Sequence, residues 1–401
     1  MEVNTLAVND LVINQASTIL NTIMKQANIG GEMVTVDGGN FVSVGQTALK
    51  AGYDVILNAI SQVLTRTIFS VRPYKGKLEG IMMDEQRFGN MSRKLSIADS
   101  DFADGEFDLP ADGTAVDHYK IKRANVLQLN FYGANNYKFQ SPTIFKDQLD
   151  IAFSSPDELV KFWGMVTSNA QDIISQAHEN LRRATIANFI GAKIKANADS
   201  IESGTVIHLL TEYNTETGLS LTGTTVKEPS NYPAFMQWVY GRIQGLCSLM
   251  TERSEKFHTN ITGKAIKRHT PLEKQKIYLL NPEMYMMDAR VLADRYHVNF
   301  LTLGDYEAVN FWQNIDNPDE IKVTPTVLQK DGTLQVTAEP ITQANIFGVV
   351  FDEEALGVTT VNNFTLATPI NADGAYTNIF YHFTDRYYTD FTENGFVLLM
   401  D

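Results

Sequence analysis

Apolar residues recur at positions 159, 162, 163, 166, 173, 174, 177, 181, 184, 187 and 190, the spacing of one helix face. Ser155-Pro156-Asp157-Glu158 stands in front of them as a capping box with proline at the first helical position. The pattern predicts one helix over 156–198, on the order of 60 Å long at 1.5 Å per residue. Compact enzymes seldom need such a helix, whereas coiled coils and spanning struts do. Upstream, Leu11, Val12, Gln15, Ile19, Leu20 and Ile23 repeat at helical spacing. A Gly-rich break, "IGGEMVTVDGGN", follows, and a second helix then runs into a strand ending near Pro73.

Residues 74–140 change character and become polar, Gly-rich and strand-like. "GTAVDHYKIK" and "NVLQLNFYG" alternate with period two, which places Leu127, Leu129 and Phe131 on one face. From Asp99 to Asp117 there are seven acids and few large apolar residues. Such a segment cannot bury a core alone, so it reads as a projecting hairpin or lid resting on something else.

Beyond the long helix, 199–231 reads as short strands and a Gly/Thr-rich loop. A helix is predicted from about Pro233 to Lys256, carrying Met236, Val239, Tyr240, Ile243, Leu246 and Met250. "QKIYLL" is a buried strand, and Asn281-Pro282-Glu283 opens a helix ending near Tyr296. Strands follow in "KVTPTVLQ", "LQVTAEP" and "ANIFGVVFDEEALGV". In the closing stretch Ile379, Tyr381 and Phe383 alternate with Phe380, His382 and Thr384, so both faces carry large side chains. Asn394-Gly395 predicts a tight hairpin turn, with Phe396–Met400 as the return strand.

A chain of 401 residues and 44.8 kDa has room for two or three structural units. The net charge of −14 argues against a protein that grips nucleic acid, though not against one that encloses it and must let it slide. Cys247 is the only cysteine and sits in an apolar helical stretch, so it reads as a buried, inert thiol. The first residues have neither a basic n-region nor an apolar h-region. No stretch reaches the apolar length of a membrane span, and the expectation is a soluble protein made inside the cell.

No chemical motif survives inspection. In "DGGNFVSVGQT" the glycines Gly39 and Gly45 are one residue too far apart for a phosphate loop, and Gln46 occupies the lysine position. In "DSDFADGEFDLP" Asp99 and Asp101 fit the first ligand positions of a calcium loop, but Asp104 replaces the obligatory glycine and Pro110 the bidentate Glu. A solvated acidic loop is the better reading. The seven histidines make no metal-ligating pair, His382 and Asp385 point to opposite faces of a strand, and His178 and His297 read as structural. Asp352, Glu353, Glu354, Asp385, Asp390 and Glu393 offer carboxylates for glycoside hydrolysis with no indication of their separation. Lys264, Lys267, Arg268 and Lys274 form a basic loop. No catalytic, cofactor-binding or metal-ligating residue is assigned.

The order of elements is more informative than any residue. An N-terminal helical arm, a polar extended hairpin, one very long helix, a helix-and-strand region and a return to sheet resemble the Hong Kong 97-type major capsid protein of tailed phages. "FVSVGQTALKAGYDVILNAISQVLTRTIFSVRPYKGKLEG" and "FTLATPINADGAYTNIFYHFTDRYYTDFTENGFVLLMD" look like the corresponding segments of small podophages of the phi-twenty-nine type. The resemblance implies an α+β fold: an N-terminal arm over 1–73, an E-loop over 74–140, a P-domain over 141–231 with its spine helix over 156–198, an inserted A-domain over 232–345 and a return to the P-domain sheet over 346–401. The immunoglobulin-like domain that some relatives carry after these strands has no counterpart before Asp401, and no Lys–Asn pair can be assigned to a lattice cross-link.

The function so implied is a non-enzymatic subunit of pentamers and hexamers. These would close into an icosahedral shell around double-stranded DNA, as a virion capsid assembled in the host cytoplasm. Its partners would be itself, a scaffolding protein and a portal, with no membrane, no cofactor and no sequence-specific DNA contact. The basic loop over 264–276 would pair with acids of an adjacent subunit. Aromatic final strands would be covered by the spine helix on one face and a neighbour's arm or loop on the other. An encapsulin-like compartment shell and a β-rich carbohydrate-active or tail-associated protein are the alternatives.

Overall fold

A computed structural model describes residues 16–31, 33–35, 39–52, 54–56, 59, 78–82, 92–99, 123–131, 133–140, 143–281, 283 and 306–401. Its helices are α1 (16–26), α2 (Phe41–Lys50), α3 (Lys146–Ala152), α4 (Pro156–Ala198), α5 (Leu209–Thr217) and α6 (Tyr232–Met250). Its strands are β1 (Ser92–Ile97), β2 (Val126–Phe131), β3 (Gly133–Gln140), β4 (Ile144–Phe145), β5 (Val206–His208), β6 (Gln275–Leu280), β7 (Tyr306–Val309) and β8 (Ile321–Val323). They continue as β9 (Thr326–Leu328), β10 (Leu334–Val336), β11 (Ile341–Gln343), β12 (Ile346–Asp352), β13 (Leu356–Ala367), β14 (Tyr376–Thr377), β15 (Ile379–Thr389) and β16 (Gly395–Leu399).

The long helix has the bounds that its sequence predicts. Ser155 Oγ accepts a hydrogen bond from the Glu158 backbone N–H at 3.3 Å, and Pro156 fills the position where a missing N–H costs nothing. The Glu158 carboxylate pairs with Lys161 at 2.8 Å. At the far end Ser200 takes a positive φ of 58°, and Ile201 N–H returns to the Ala196 carbonyl.

Two cores explain the length of α4. Leu159, Phe162 and Trp163 pack with α1, α2, α3 and Ile379, whereas Leu181, Ile186, Phe189 and Ile190 pack with β12, β16 and β6. One helix therefore spans both. The predicted residues Ile19, Leu20 and Ile23 are buried in the first of these cores, while Leu11, Val12 and Gln15 lie outside the described residues. Gly45, half of the rejected phosphate loop, lies in α2, where a Cβ would meet the Phe153 carbonyl at 3.2 Å.

The main sheet runs β5-β16-β12-β6-β7 and the second sheet β13-β15-β3. Period-two alternation divides the main sheet between its two coverings. Phe396, Leu398, Phe347, Val350, Ile277 and Leu279 face α5 and α6. Val397, Leu399, Val349, Phe351 and Tyr278 face the α4 side. "GFVLL" is apolar throughout because helices cover both of its faces. Each such side chain contributes about 1.5–3 kcal/mol by leaving water.

Two local expectations are corrected. Asn394-Gly395 closes no hairpin, because β15 belongs to the second sheet while β16 pairs with β12 and β5 in the main one. Packing uses the small residue instead: a Cβ on Gly395 would stand 2.6 Å from Phe189 Cζ. Asn394 is fully buried at the crossing, its amide donating to Thr270 Oγ1 at 3.1 Å and its Oδ1 3.0 Å from His258 Nδ1. Burial pushes the His258 pKa below its ordinary value. Helix α6 stops at Met250, not Lys256, because Met250 O accepts from Thr270 N–H and Ser254 forms a bridge with Arg268. The helix predicted to end near Tyr296 lies outside the described residues beyond Glu283. Gly395→Ala is expected to force Phe189 aside and cost about 1–3 kcal/mol, read from the denaturant midpoint of the unassembled subunit.

Candidate assembly site

The antiparallel pair β1–β2 forms a ribbon leading into and out of the acidic segment over 100–122, itself outside the described residues. Alternation gives the ribbon two unlike faces. Lys94, Ser96 and Leu127 turn toward the body, and Leu95, Ile97 and Val126 turn away.

On the inner face Lys94 Nζ lies 2.5 Å from Glu393, 3.2 Å from Glu354 and 3.3 Å from Asp390. Arg268 Nη1 approaches Glu393 at 2.7 Å. Asp390 is fully buried, Glu393 nearly so, and Lys94 retains 22% side-chain exposure. Burial works against the charged lysine, yet the combined attraction of Asp390, Glu393 and Glu354 outweighs it and holds the Lys94 pKa well above its ordinary value. For Glu393 burial wins, pushing the carboxyl up despite Lys94 and Arg268. The anchor therefore joins a stable cation to a carboxylate that burial makes costly to ionise.

The ribbon base is tied as well. Lys264 Nζ donates to the Val126 carbonyl at 2.5 Å, Asn125 Nδ2 to the Gly263 carbonyl at 2.6 Å, and Arg268 Nη2 to Ser96 Oγ at 3.2 Å. Asp99 accepts from the Lys267 backbone N–H at 2.9 Å and from Arg253. These contacts give much of the basic loop a target within this chain. Lys264, the Lys267 backbone and Arg268 engage this chain's own ribbon, Arg268 also reaches Glu393, and Lys274 pairs with Glu353 at 2.8 Å.

The remaining acids have structural partners. Asp352 accepts from the Thr270 hydroxyl at 2.7 Å. Asp385 accepts from Thr360 at 3.1 Å, and its Oδ2 lies 2.7 Å from His178 Nδ1 where α4 meets the second sheet. His382 stands on the opposite face, stacked on Phe364 with centroids 4.8 Å apart. Cys247 is buried, and burial pushes its thiol up to about 11, as an inert thiol requires. Among the described residues no cluster of His, Cys, Asp or Glu could hold a metal ion. No described helix is long and apolar enough to cross a membrane.

The outer face is the opposite case. Leu95, Ile97 and Val126 are 56%, 66% and 43% exposed, a large apolar fraction for a narrow ribbon. A chain that fixes one face of a ribbon with buried charge and leaves three bare apolar side chains on the other, beside Arg93, Gln128 and Asn130, has the surface of a tile in a larger assembly.

The comparisons agree with that class. The family model for the Phi29-like phage major capsid protein matches residues 17–399. Among solved structures, a chain of the capsid structure of Staphylococcus phage Andhra has a TM-score of 0.50 at 11% identity, covering 84% of this chain and 87% of that one. A chain from the structure of the head fiber and inner core protein gp22 of native bacteriophage P68 has a TM-score of 0.52 at 10% identity, with the same coverage. No curated protein matches the chain. The chain belongs to the Phi29-like phage major capsid protein family. It is a structural protein of the phage head shell with the Hong Kong 97-like mixed helix-and-sheet fold, and its copies associate with one another in the virion capsid. The match favours this reading over the encapsulin-like, carbohydrate-active and tail-associated alternatives.

Proposed function

We propose that the chain assembles into pentamers and hexamers that close into an icosahedral shell around packaged double-stranded DNA, with no catalytic step of its own. Residues 1–73 act as the N-terminal arm, 74–140 as the E-loop, 141–231 as the P-domain carrying its spine helix, 232–345 as the inserted A-domain, and 346–401 as the return to the P-domain. A scaffolding protein and a portal guide closure in the host cytoplasm. A net charge of −14 suits a lining from which DNA must slide free.

The observation that carries this reading is the two-faced ribbon. Its inner face is paired by charge within the chain, and the bare Leu95, Ile97 and Val126 of its outer face gain cover when it lies across a neighbouring copy. Leu95→Glu with Ile97→Glu is expected to leave the subunit folded, since both side chains are exposed, and to prevent shell formation in light scattering and electron microscopy. Each covered side chain contributes about 1.5–3 kcal/mol at every copy. Normal shells from this variant would refute the role given to the ribbon face.

A further inference from the structure

Strand β10 is the second edge of a two-stranded ribbon with β9, in the register Leu334↔Leu328, Gln335↔Val327 and Val336↔Thr326. Thr337 N–H donates to the Pro325 carbonyl and Gln329 N–H to the Thr333 carbonyl. In an antiparallel pair, hydrogen-bonded positions alternate with non-bonded ones. The backbone groups of Gln335 therefore turn toward β9, and those of Leu334 and Val336 turn away from it. Among the described residues nothing pairs with these outward groups. The side chains of Leu334 and Val336 share a face and are also bare, at 55% and 61% exposure. Gln335 points the other way, lining a groove with Lys195, Asp199 and Glu339.

An edge with free backbone groups and apolar side chains is a template for another strand, and soluble proteins normally blunt it with charge, proline or a covering element. We infer that β10 is an interchain contact in which the same strand of a second copy adds to this edge. The pattern is self-complementary. Turned about a two-fold axis centred on Gln335, Leu334 of one copy faces Val336 of the other, and each such pair exchanges both of its N–H···O bonds. The occupant follows from that match and from the self-association of the family. This rests on the head-shell reading and adds a contact independent of the β1–β2 ribbon.

Amide hydrogen exchange on assembled shells and on unassembled subunits tests it. Gln335, bonded within the ribbon, is expected to exchange slowly in both. Leu334 and Val336 are expected to exchange freely in subunits and more than about tenfold more slowly in shells. Equal rates for these two amides in both samples would overturn the inference while leaving shell assembly itself established; absence of shells would instead refute the head-shell reading. Val336→Pro removes an outward N–H that the ribbon does not use, at a position where an edge strand tolerates proline. It is expected to raise the subunit concentration needed for assembly about tenfold, as the loss of one donor from each copy implies. An unchanged assembly threshold would count against the strand pairing.

Discussion

Replacing Lys94 with methionine is expected to destabilise the subunit by about 2–4 kcal/mol and to free the ribbon from the body. The change leaves Asp390 and Glu393, both buried, without their nearest cation, and breaking a buried pair from one side typically costs about 3–5 kcal/mol. The lower range reflects the partial exposure of Lys94 and the contact that Arg268 keeps with Glu393. The pH dependence gives the mechanism a signature. Burial already raises the Glu393 carboxyl, and losing Lys94 raises it further. A carboxyl raised in the folded state favours folding below its unfolded pKa, and that contribution is lost as pH rises through the folded value. The deficit of the variant against the native protein is therefore expected to be larger at about pH 8 than at about pH 5 by denaturant titration. A deficit equal at both would assign the loss to packing of the lysine stem.

The second large effect is expected at the end of α4. Lys193 and Glu202 are both buried, 3.2 Å apart, with the Thr259 hydroxyl also donating to Glu202. This pair fixes how the long helix hands the chain to β5. Lys193→Met strands a buried carboxylate and is expected to cost about 3–5 kcal/mol. Lys193→Met with Glu202→Gln removes both charges, keeps an acceptor for Thr259, and is expected to recover most of that loss. Chemical denaturation of the two variants side by side separates a charge effect from a packing effect. A double variant as unstable as the single one would show that side-chain volume, not charge, matters there.

What the sequence revealed was what local physics controls. The bounds of α4 were legible because cap, first-turn proline and apolar spacing all lie within it, and its unusual length pointed to a strut. The doubly covered final strand was legible from its composition, but its partners were not. Asn394-Gly395 carries a hairpin signal in any short window, and only the full structure shows Phe189 occupying the space that a side chain at 395 would need. The anchor was illegible for the same reason. Lys94 and Glu393 are 299 positions apart, and each residue type is ordinary on a surface. His178 and Asp385 show the same limit. The period-two rule correctly separated His382 from Asp385, yet nothing in either neighbourhood pointed to the long helix as the partner. The basic loop was visible as charge, whereas its target, this chain's own ribbon, depended on the fold.

In the proposed assembly the chain builds a closed shell in which the outer face of the β1–β2 ribbon is covered by a neighbouring copy. Cryo-electron microscopy of the protein co-produced with a candidate scaffolding protein tests it most directly. The expected result is closed particles with five- and six-fold capsomers, Leu95, Ile97 and Val126 of each copy lying against the next. A monodisperse monomer or dimer under every condition, scaffold included, would contradict it, as would shells in which that face remains bare.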